Sequence, residues 1–135
     1  MPKSSAEDPR LTRLTAICQR FPETTRKMHG SHASFRVRKK VFCYFLHDHH
    51  GDGIVSVCIR TARGENTEWA AHDPARFYLP AYIGPRGWIA MRLDRGRPDW
   101  GEIREFVSES YRLAAPRRLA TAVPRLKPRL GGGLS

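Results

Sequence analysis

Cysteine is scarce in this sequence, and its placement argues against a disulfide-stapled protein. The chain of 135 residues has three cysteines, Cys18, Cys43 and Cys58, and no CxxC pair. An odd number without paired spacing does not fit the disulfide framework of a small secreted domain. Each cysteine lies within an apolar run, where it can serve as a small buried hydrophobe. We therefore expect all three in the core of a protein that folds in a reducing cytosol.

Long hydrophobic runs are also missing. No apolar stretch approaches the roughly 20 residues that a membrane span requires, and the first ten residues, MPKSSAEDPR, lack the apolar segment of a signal peptide. We expect a cytoplasmic protein with no membrane partner. The length fits one domain, since domains commonly have about 100–150 residues. Such a chain buries about two-thirds of its unfolded surface, so it needs neither a disulfide nor a metal to fold.

The sequence contains no convincing set of catalytic residues. It has no G-x-S-x-G turn for a nucleophilic serine. The segment Gly84-Pro-Arg-Gly87 has no GK[ST] after it, and its proline removes an amide donor that a phosphate loop would use. A cysteine–histidine pair would need Cys43 or Cys58 at the surface, but both lie in segments that we expect to be buried. We predict that the protein is not an enzyme and has no cofactor.

Histidine is concentrated in one short segment, His47-Asp48-His49-His50, with Asp52 close behind. Imidazoles and carboxylates are ligands for zinc and nickel. However, neighbouring side chains of an extended segment point in opposite directions, and a tetrahedral site needs ligands from separate elements. We interpret the segment as a solvated loop and predict no metal site.

Positive charge is what the sequence has in excess. It carries 24 lysine and arginine residues against 13 aspartate and glutamate residues, a formal net charge of +11. Most of the cations are arginines, a bias that a GC-rich genome would also produce without any function. A net charge this positive attracts polyanions, but it does not indicate the fold. It makes nucleic acid the leading candidate partner, with a merely solvated basic face as the alternative.

Apolar spacing predicts an α+β domain over residues 9–122, between a disordered N-terminus at 1–8 and a basic, disordered tail at 123–135. Asp8 and Pro9 indicate the start of a first helix that ends near Phe21, and Asp99 with Glu102 indicates a capped later helix. We interpret residues 23–32 as a polar loop. The remaining predicted elements are strands at 34–37, 41–46, 54–60 and 88–93, a short helix around Trp69, and a final short helix at 116–122.

Basic residues lie at or near the ends of several predicted elements, where rigid strands could present them to phosphates. Trp88 lies beside them and could stack on a base or pack in the core. The candidate nucleic-acid-binding residues are Arg36, Arg38, Lys39, Lys40, Arg86, Trp88, Arg117 and Arg118. We also consider a small anionic ligand held near Tyr78, Tyr82, Arg86 and Trp88, and a protein–protein adaptor that uses an exposed sheet face. The sequence does not predict an oligomeric state.

Two segments resemble the MmcQ/YjbR family: the turn Tyr82-Ile-Gly-Pro-Arg-Gly-Trp-Ile89 and the stretch Ser110-Tyr-Arg-Leu-Ala-Ala-Pro-Arg-Arg-Leu119. With Leu93-Asp94, Asp99-Trp100 and the region from the first helix to Phe42, the resemblance covers about residues 9–121. It implies a CyaY/frataxin-like fold, with helices packed on one face of an antiparallel sheet. It also implies DNA binding, the label that family members carry, and it brings no catalytic residues.

The His-rich 47–50 loop and the proline-broken tail depart from the family pattern. The frataxin-like scaffold also raises iron binding, which depends on an acidic ridge. The first predicted helix instead carries Arg10, Arg13 and Arg20, so we do not expect iron binding.

Overall fold

The computed structural model describes residues 7–48 and 51–123. Six strands form one antiparallel sheet in the order β1-β2-β3-β4-β6-β5. The elements are α1 (Pro9–Cys18), β1 (Thr24–His29), β2 (His32–Val37), β3 (Lys40–His47), β4 (Val55–Arg60), α2 (Glu65–His72), β5 (Phe77–Tyr78), β6 (Trp88–Arg92), α3 (Trp100–Ala114) and α4 (Arg117–Ala120). A 3₁₀ turn, Gly84–Arg86, precedes β6. The predicted α+β class is confirmed.

The helices cover one face of the sheet and enclose the main core. Residues paired across β2, β3, β4 and β6 point to this face in one row, Phe35, Cys43, Ile59 and Ile89. Leu14 of α1, Trp69 of α2 and Phe106 of α3 are buried in the same cluster. The apolar sides of these helices thus pack against the apolar side chains that alternate along the strands, and together they form one apolar layer.

The opposite face of the sheet carries a smaller apolar cluster, to which no α-helix contributes among the described residues. Its row of paired residues is Tyr44, Cys58, Ala90 and Tyr78. Cys58 and Ala90 are fully buried there, beneath half-buried neighbours such as Ile83. We call this surface the open face.

The predicted loop at residues 23–32 is wrong in its main part, because Thr24–His29 forms strand β1 at the edge of the sheet. Its side chains are exposed or half-buried, so no apolar alternation distinguishes it from a loop. Arg26 and Lys27 place charge on this edge, as edge strands commonly do to avoid pairing with other chains.

Strand β3 contains an irregularity that turns one extra side chain toward the core. Phe35 pairs with Cys43 and Arg36 pairs with Val41, so Phe42 is an additional residue, as in a β-bulge. Phe42 is fully buried and its ring lies 5.2 Å from the ring of Tyr111.

The helix starts follow their predicted caps. The side chain of Asp8 accepts a hydrogen bond from the Arg10 amide, and that of Asp99 accepts one from the Glu102 amide. Helix α1 ends at Cys18, three residues earlier than predicted. Val123, which the prediction placed in the tail, is 5% exposed and belongs to the core. The other residues of the predicted tail, and residues 1–6 of the predicted N-terminus, lie outside the described residues.

All three cysteines are buried and unpaired, as the sequence predicted. Burial raises the pKa of the Cys43 and Cys58 thiols, so neither is activated as a nucleophile. Within the described ranges, no helix has both the length and the apolar character needed to cross a lipid bilayer.

Candidate nucleic-acid interface

The predicted basic residues come together at one end of the sheet. There β2 ends, β3 begins, β4 ends and β6 begins, because alternate strands run in opposite directions. Helix α3 also finishes at this end, since its Ser110 binds the backbone of β3 and β4. We call this surface the cationic end. It comprises Arg36, Arg38, Lys39, Lys40, Arg60, Arg63, Arg86, Arg117 and Arg118.

The turn between β2 and β3 presents three of these cations to solvent. Arg38, Lys39 and Lys40 are all exposed, and Arg38 has a positive φ of 57°. Arg38 is not free, because its Nη2 donates to Glu23 Oε2 at 3.2 Å. This bond holds the pKa of Glu23 below its usual value, and the nearby Arg118 lowers it further. Glu23 is therefore an acidic residue between two members of the cationic end.

Helix α4 carries Arg117 and Arg118, both exposed, and Arg112 fixes it to α3. The Arg112 Nη1 donates to the carbonyls of Ala120 and Val123, both at 2.6 Å. Arg112 thereby satisfies carbonyls at the end of α4 that have no partner within the helix. Its charge is used inside the fold rather than offered to a ligand.

Lys40, Arg60 and Arg86 line a cleft of about 510 Å³ together with Trp88 and the end of α3. Arg60 and Arg86 also line an adjoining cavity of about 260 Å³, which Arg63 borders. In the part of the chain that the structure describes, neither Lys40, Arg60 nor Arg86 forms a salt bridge. Their charges are therefore available to an anion.

Sequence reasoning missed Arg60 and Arg63. Arg60 was read only as the last residue of a strand, although antiparallel pairing places it opposite Trp88. Strand pairing could have predicted its position. In an antiparallel sheet, an arginine at the end of one strand lies beside the first residue of the neighbouring strand. Arg63 follows in the loop after β4 and carries no separate signal.

Trp88 packs rather than presenting its ring to solvent. It is 8% exposed, and its ring lies 5.3 Å from that of Tyr44. The buried Asn66 side chain donates to the carbonyls of Gly84 and Trp88, at 2.8 and 3.1 Å, and so fixes the turn before β6. Trp88 therefore forms a wall of the cleft.

Arg36 is half-buried on the open face, where it pairs with Thr25 and Val41. Its Nε is enclosed and has no hydrogen-bond partner among the described residues. A buried donor without a partner is costly, and its enclosure keeps this nitrogen from direct contact with a ligand in this conformation.

Acidic residues gather at the other end of the sheet. Asp94 follows β6 and pairs with Arg92 at 2.9 Å, and Asp8 pairs with Arg10 at 2.8 Å. These arginine partners hold the pKa of both carboxyl groups below its usual value. Asp48 and Asp52 lie in the loop between β3 and β4 at the same end. This end also carries Arg10, Arg92, Arg95 and Arg97, so its charges largely offset one another, and the excess of positive charge lies at the cationic end.

The residues described provide no group of three or more histidine, cysteine, aspartate or glutamate side chains placed to hold a metal ion. The backbone amide of His47 donates to His32 Nδ1 at 3.1 Å. The predicted solvated loop is wrong at His47, which is the half-buried last residue of β3 and pairs with Val55. His49 and His50 lie outside the described residues, so the interpretation stays a prediction for them.

A separate cavity of about 310 Å³ opens on the open face, and we call it the tyrosine pocket. Its lining includes Tyr44, Tyr78, Pro80, Tyr82, Ile83 and Asp52. Arg86 and Trp88 line the cleft instead. The four residues considered for a small anionic ligand are thus divided between two sites, with the Tyr44–Trp88 ring pair between them.

Comparison with known proteins identifies the family and the fold. The family model named YjbR matches residues 19–113. The fold is similar to the crystal structure of Deinococcus radiodurans protein DR2400, a DUF419-domain protein, with a TM-score of 0.64 and 15% sequence identity. The similarity covers 96% of this chain and 99% of that one. No curated protein matches the sequence.

Proposed function

This chain belongs to the YjbR family, and we propose that it is a non-catalytic, cytoplasmic nucleic-acid-binding protein, with DNA as the expected ligand. The observation that carries the proposal is the convergence of Lys40, Arg60 and Arg86 on one cleft without salt bridges among the described residues. Cations that are already paired within the fold gain little from a phosphate, whereas unpaired cations that contact phosphates displace the counterions condensed on the nucleic acid.

The neighbouring cations extend this cleft into a larger surface. The β2–β3 turn adds Lys39, and α4 adds Arg117 and Arg118, whereas Arg38 is already paired with Glu23. About six phosphate contacts would make the affinity fall roughly 10³-fold between 50 and 200 mM salt. The excess of positive charge at the cationic end would orient the protein during approach, because the charges at the opposite end largely offset one another.

The test compares two double variants that remove the same charge from opposite ends of the sheet. Arg60→Ala/Arg86→Ala removes two cations of the cleft. Arg95→Ala/Arg97→Ala removes two exposed arginines from the loop after β6. Fluorescence anisotropy with labelled single-stranded and duplex 20-mers, at 50 and 200 mM salt, measures the affinity of each.

We expect the cleft variant to bind at least tenfold more weakly and to lose about two units of the salt slope, one for each phosphate contact. The matched variant should stay close to the unchanged protein. No binding of any nucleic acid at 50 mM salt would refute the proposal. Equal losses in both variants would mean that net charge alone attracts the ligand.

A small anionic ligand is the second candidate, because Arg60, Arg63 and Arg86 surround a cavity of about 260 Å³. That size suits a single phosphate or carboxylate group better than a polymer. Such a site would bind a mononucleotide or inorganic phosphate as tightly as a 20-mer. Isothermal titration with these ligands distinguishes the two functions.

A further inference from the structure

The tyrosine pocket has the lining of a site for a flat, uncharged ring. It has aromatic side chains from three parts of the open face, Tyr44 of β3, Tyr78 of β5 and Tyr82 of the following segment. Its volume of about 310 Å³ is near the lower limit of small-ligand sites, about 300 Å³. Of the described residues that line it, only Asp52 is charged, and a carboxylate repels phosphate.

Tyr82, at the rim of the pocket, has a strained backbone conformation. The amide of Ile83 donates to the carbonyl of Ala81 at 2.7 Å, which closes a γ-turn with Tyr82 at its centre. Tyr82 has a φ of 68°, a value that is strained for a residue with a side chain. The Tyr82 side chain is 85% exposed, so core packing does not account for this conformation. Residues held in strained backbone conformations cluster at ligand-binding and other functional sites.

The pocket extends along the open face from Tyr44 toward Asp52, at the end of the sheet opposite the cationic end, and its Tyr44 side borders the cleft. The Tyr44 ring on the pocket side and the Trp88 ring on the cleft side are 5.3 Å apart. Along β6, Ala90 beneath the pocket and Trp88 beside the cleft are successive residues of the open face, about 7 Å apart. One nucleotide of an extended chain spans such a separation from its base to its phosphate.

We infer that the tyrosine pocket receives an unstacked nucleobase while the adjacent phosphates contact Lys40, Arg60 and Arg86, so that the protein prefers single-stranded to duplex nucleic acid. The inference rests on the proposed function and specifies its ligand. Duplex bases are stacked and offer only their edges, whereas the bases of a single strand can stack on aromatic side chains. Charge complementarity sets the direction, with the base toward the pocket, where Asp52 repels phosphate, and the phosphates toward the cations of the cleft.

The experiment measures the affinities of the full chain for a labelled single-stranded 20-mer and for its duplex at 50 mM salt. We expect the single strand to bind at least tenfold more tightly. Tyr82→Ala should weaken single-strand binding about tenfold, the effect of one lost stacking contact. It should leave the salt slope and the duplex affinity unchanged. Tyr82→Phe, which keeps the ring, should retain the affinity of the unchanged protein.

The matched control is Met28→Ala, which truncates another exposed apolar side chain on edge strand β1, across the sheet from the pocket. It should bind like the unchanged protein. If duplex binds as tightly as single strand, or Tyr82→Ala has no effect while Arg60→Ala/Arg86→Ala weakens binding, this inference is wrong and the proposed function stands. If no nucleic acid binds, both are wrong.

Discussion

Ser110 shows how one buried hydroxyl can organise the cationic end. Its Oγ donates to the carbonyl of Phe42 at 2.6 Å and accepts from the amide of Arg60 at 3.0 Å. Ser110 thus joins α3 to β3 and β4 near the irregularity at Phe42. The adjacent Tyr111 donates its hydroxyl to the Pro22 carbonyl at 2.7 Å. The Ser-Tyr pair of the family resemblance therefore has a structural role.

Replacing Ser110 with alanine should lower the free energy of unfolding by about 1–3 kcal/mol, because the Phe42 carbonyl and the Arg60 amide would lose this partner. Urea denaturation measures the change. Ser31→Ala, at an exposed position in the β1–β2 turn, should stay within about 0.5 kcal/mol of the unchanged protein. Similar losses in the two variants would contradict the role assigned to Ser110.

Among the elements, those with an apolar periodicity could be predicted from the sequence and β1 could not. The stripe of α3, for example Ile103, Phe106 and Val107, indicated its helix correctly. Strand β1 has no buried face, and it is defined by backbone pairing to β2 that no local pattern reveals. The candidate site could be predicted only in part, for the same reason. Lys40 belongs to a cluster of basic residues that the sequence shows directly. The position of Arg60 beside the cleft depends on the pairing of β4 with β6, which the sequence does not show.

Helix α4 is short and depends on Arg112 for its attachment. Its four residues cannot form a stable helix alone, because helices shorter than about 12 residues are marginal in water. The guanidinium of Arg112 links α3 to two carbonyls at the end of α4. The position of Arg117 and Arg118 at the cationic end thus follows from a residue whose own charge is used inside the fold.

Arg112→Ala should therefore loosen α4 and lower the free energy of unfolding by about 1–3 kcal/mol. Hydrogen exchange followed by mass spectrometry should show faster exchange at residues 117–123 than in the unchanged protein, with the amides of β3 little affected. Arg104→Ala, an exposed arginine earlier on α3, is the control and should leave this exchange unchanged. Unchanged protection of α4 in Arg112→Ala would show that packing of Leu119 alone holds the helix.

Two kinds of ionisable group have a different pKa in the folded protein than in the unfolded chain, and they limit its stability at opposite ends of the pH scale. The first kind is the carboxyl groups that are paired with arginines. Arg10 and Arg92 lower the pKa of Asp8 and Asp94, so these carboxylates stabilise the fold above about pH 4. That contribution is lost as the pH falls through their folded pKa values. It is modest, because both pairs are partly solvated.

The buried thiols act in the opposite direction and limit stability in alkali. Burial raises the pKa of Cys43 and Cys58, so the fold holds their protons while the unfolded chain releases them above about pH 8.5. Their contribution is complete below that pH and is lost as the pH rises toward the folded pKa, at up to about 1.4 kcal/mol per pH unit for each thiol.

Urea denaturation from pH 3 to 10 should therefore show a plateau in the free energy of unfolding between about pH 5 and 8, with a fall on each side. In Cys58→Ala, the free energy of unfolding should fall less steeply with pH in alkali, because unfolding then releases one proton fewer. Its fall in acid should keep the same slope. An unchanged alkaline slope in that variant would mean that Cys58 is already ionised or exposed in the folded protein, contrary to its complete burial.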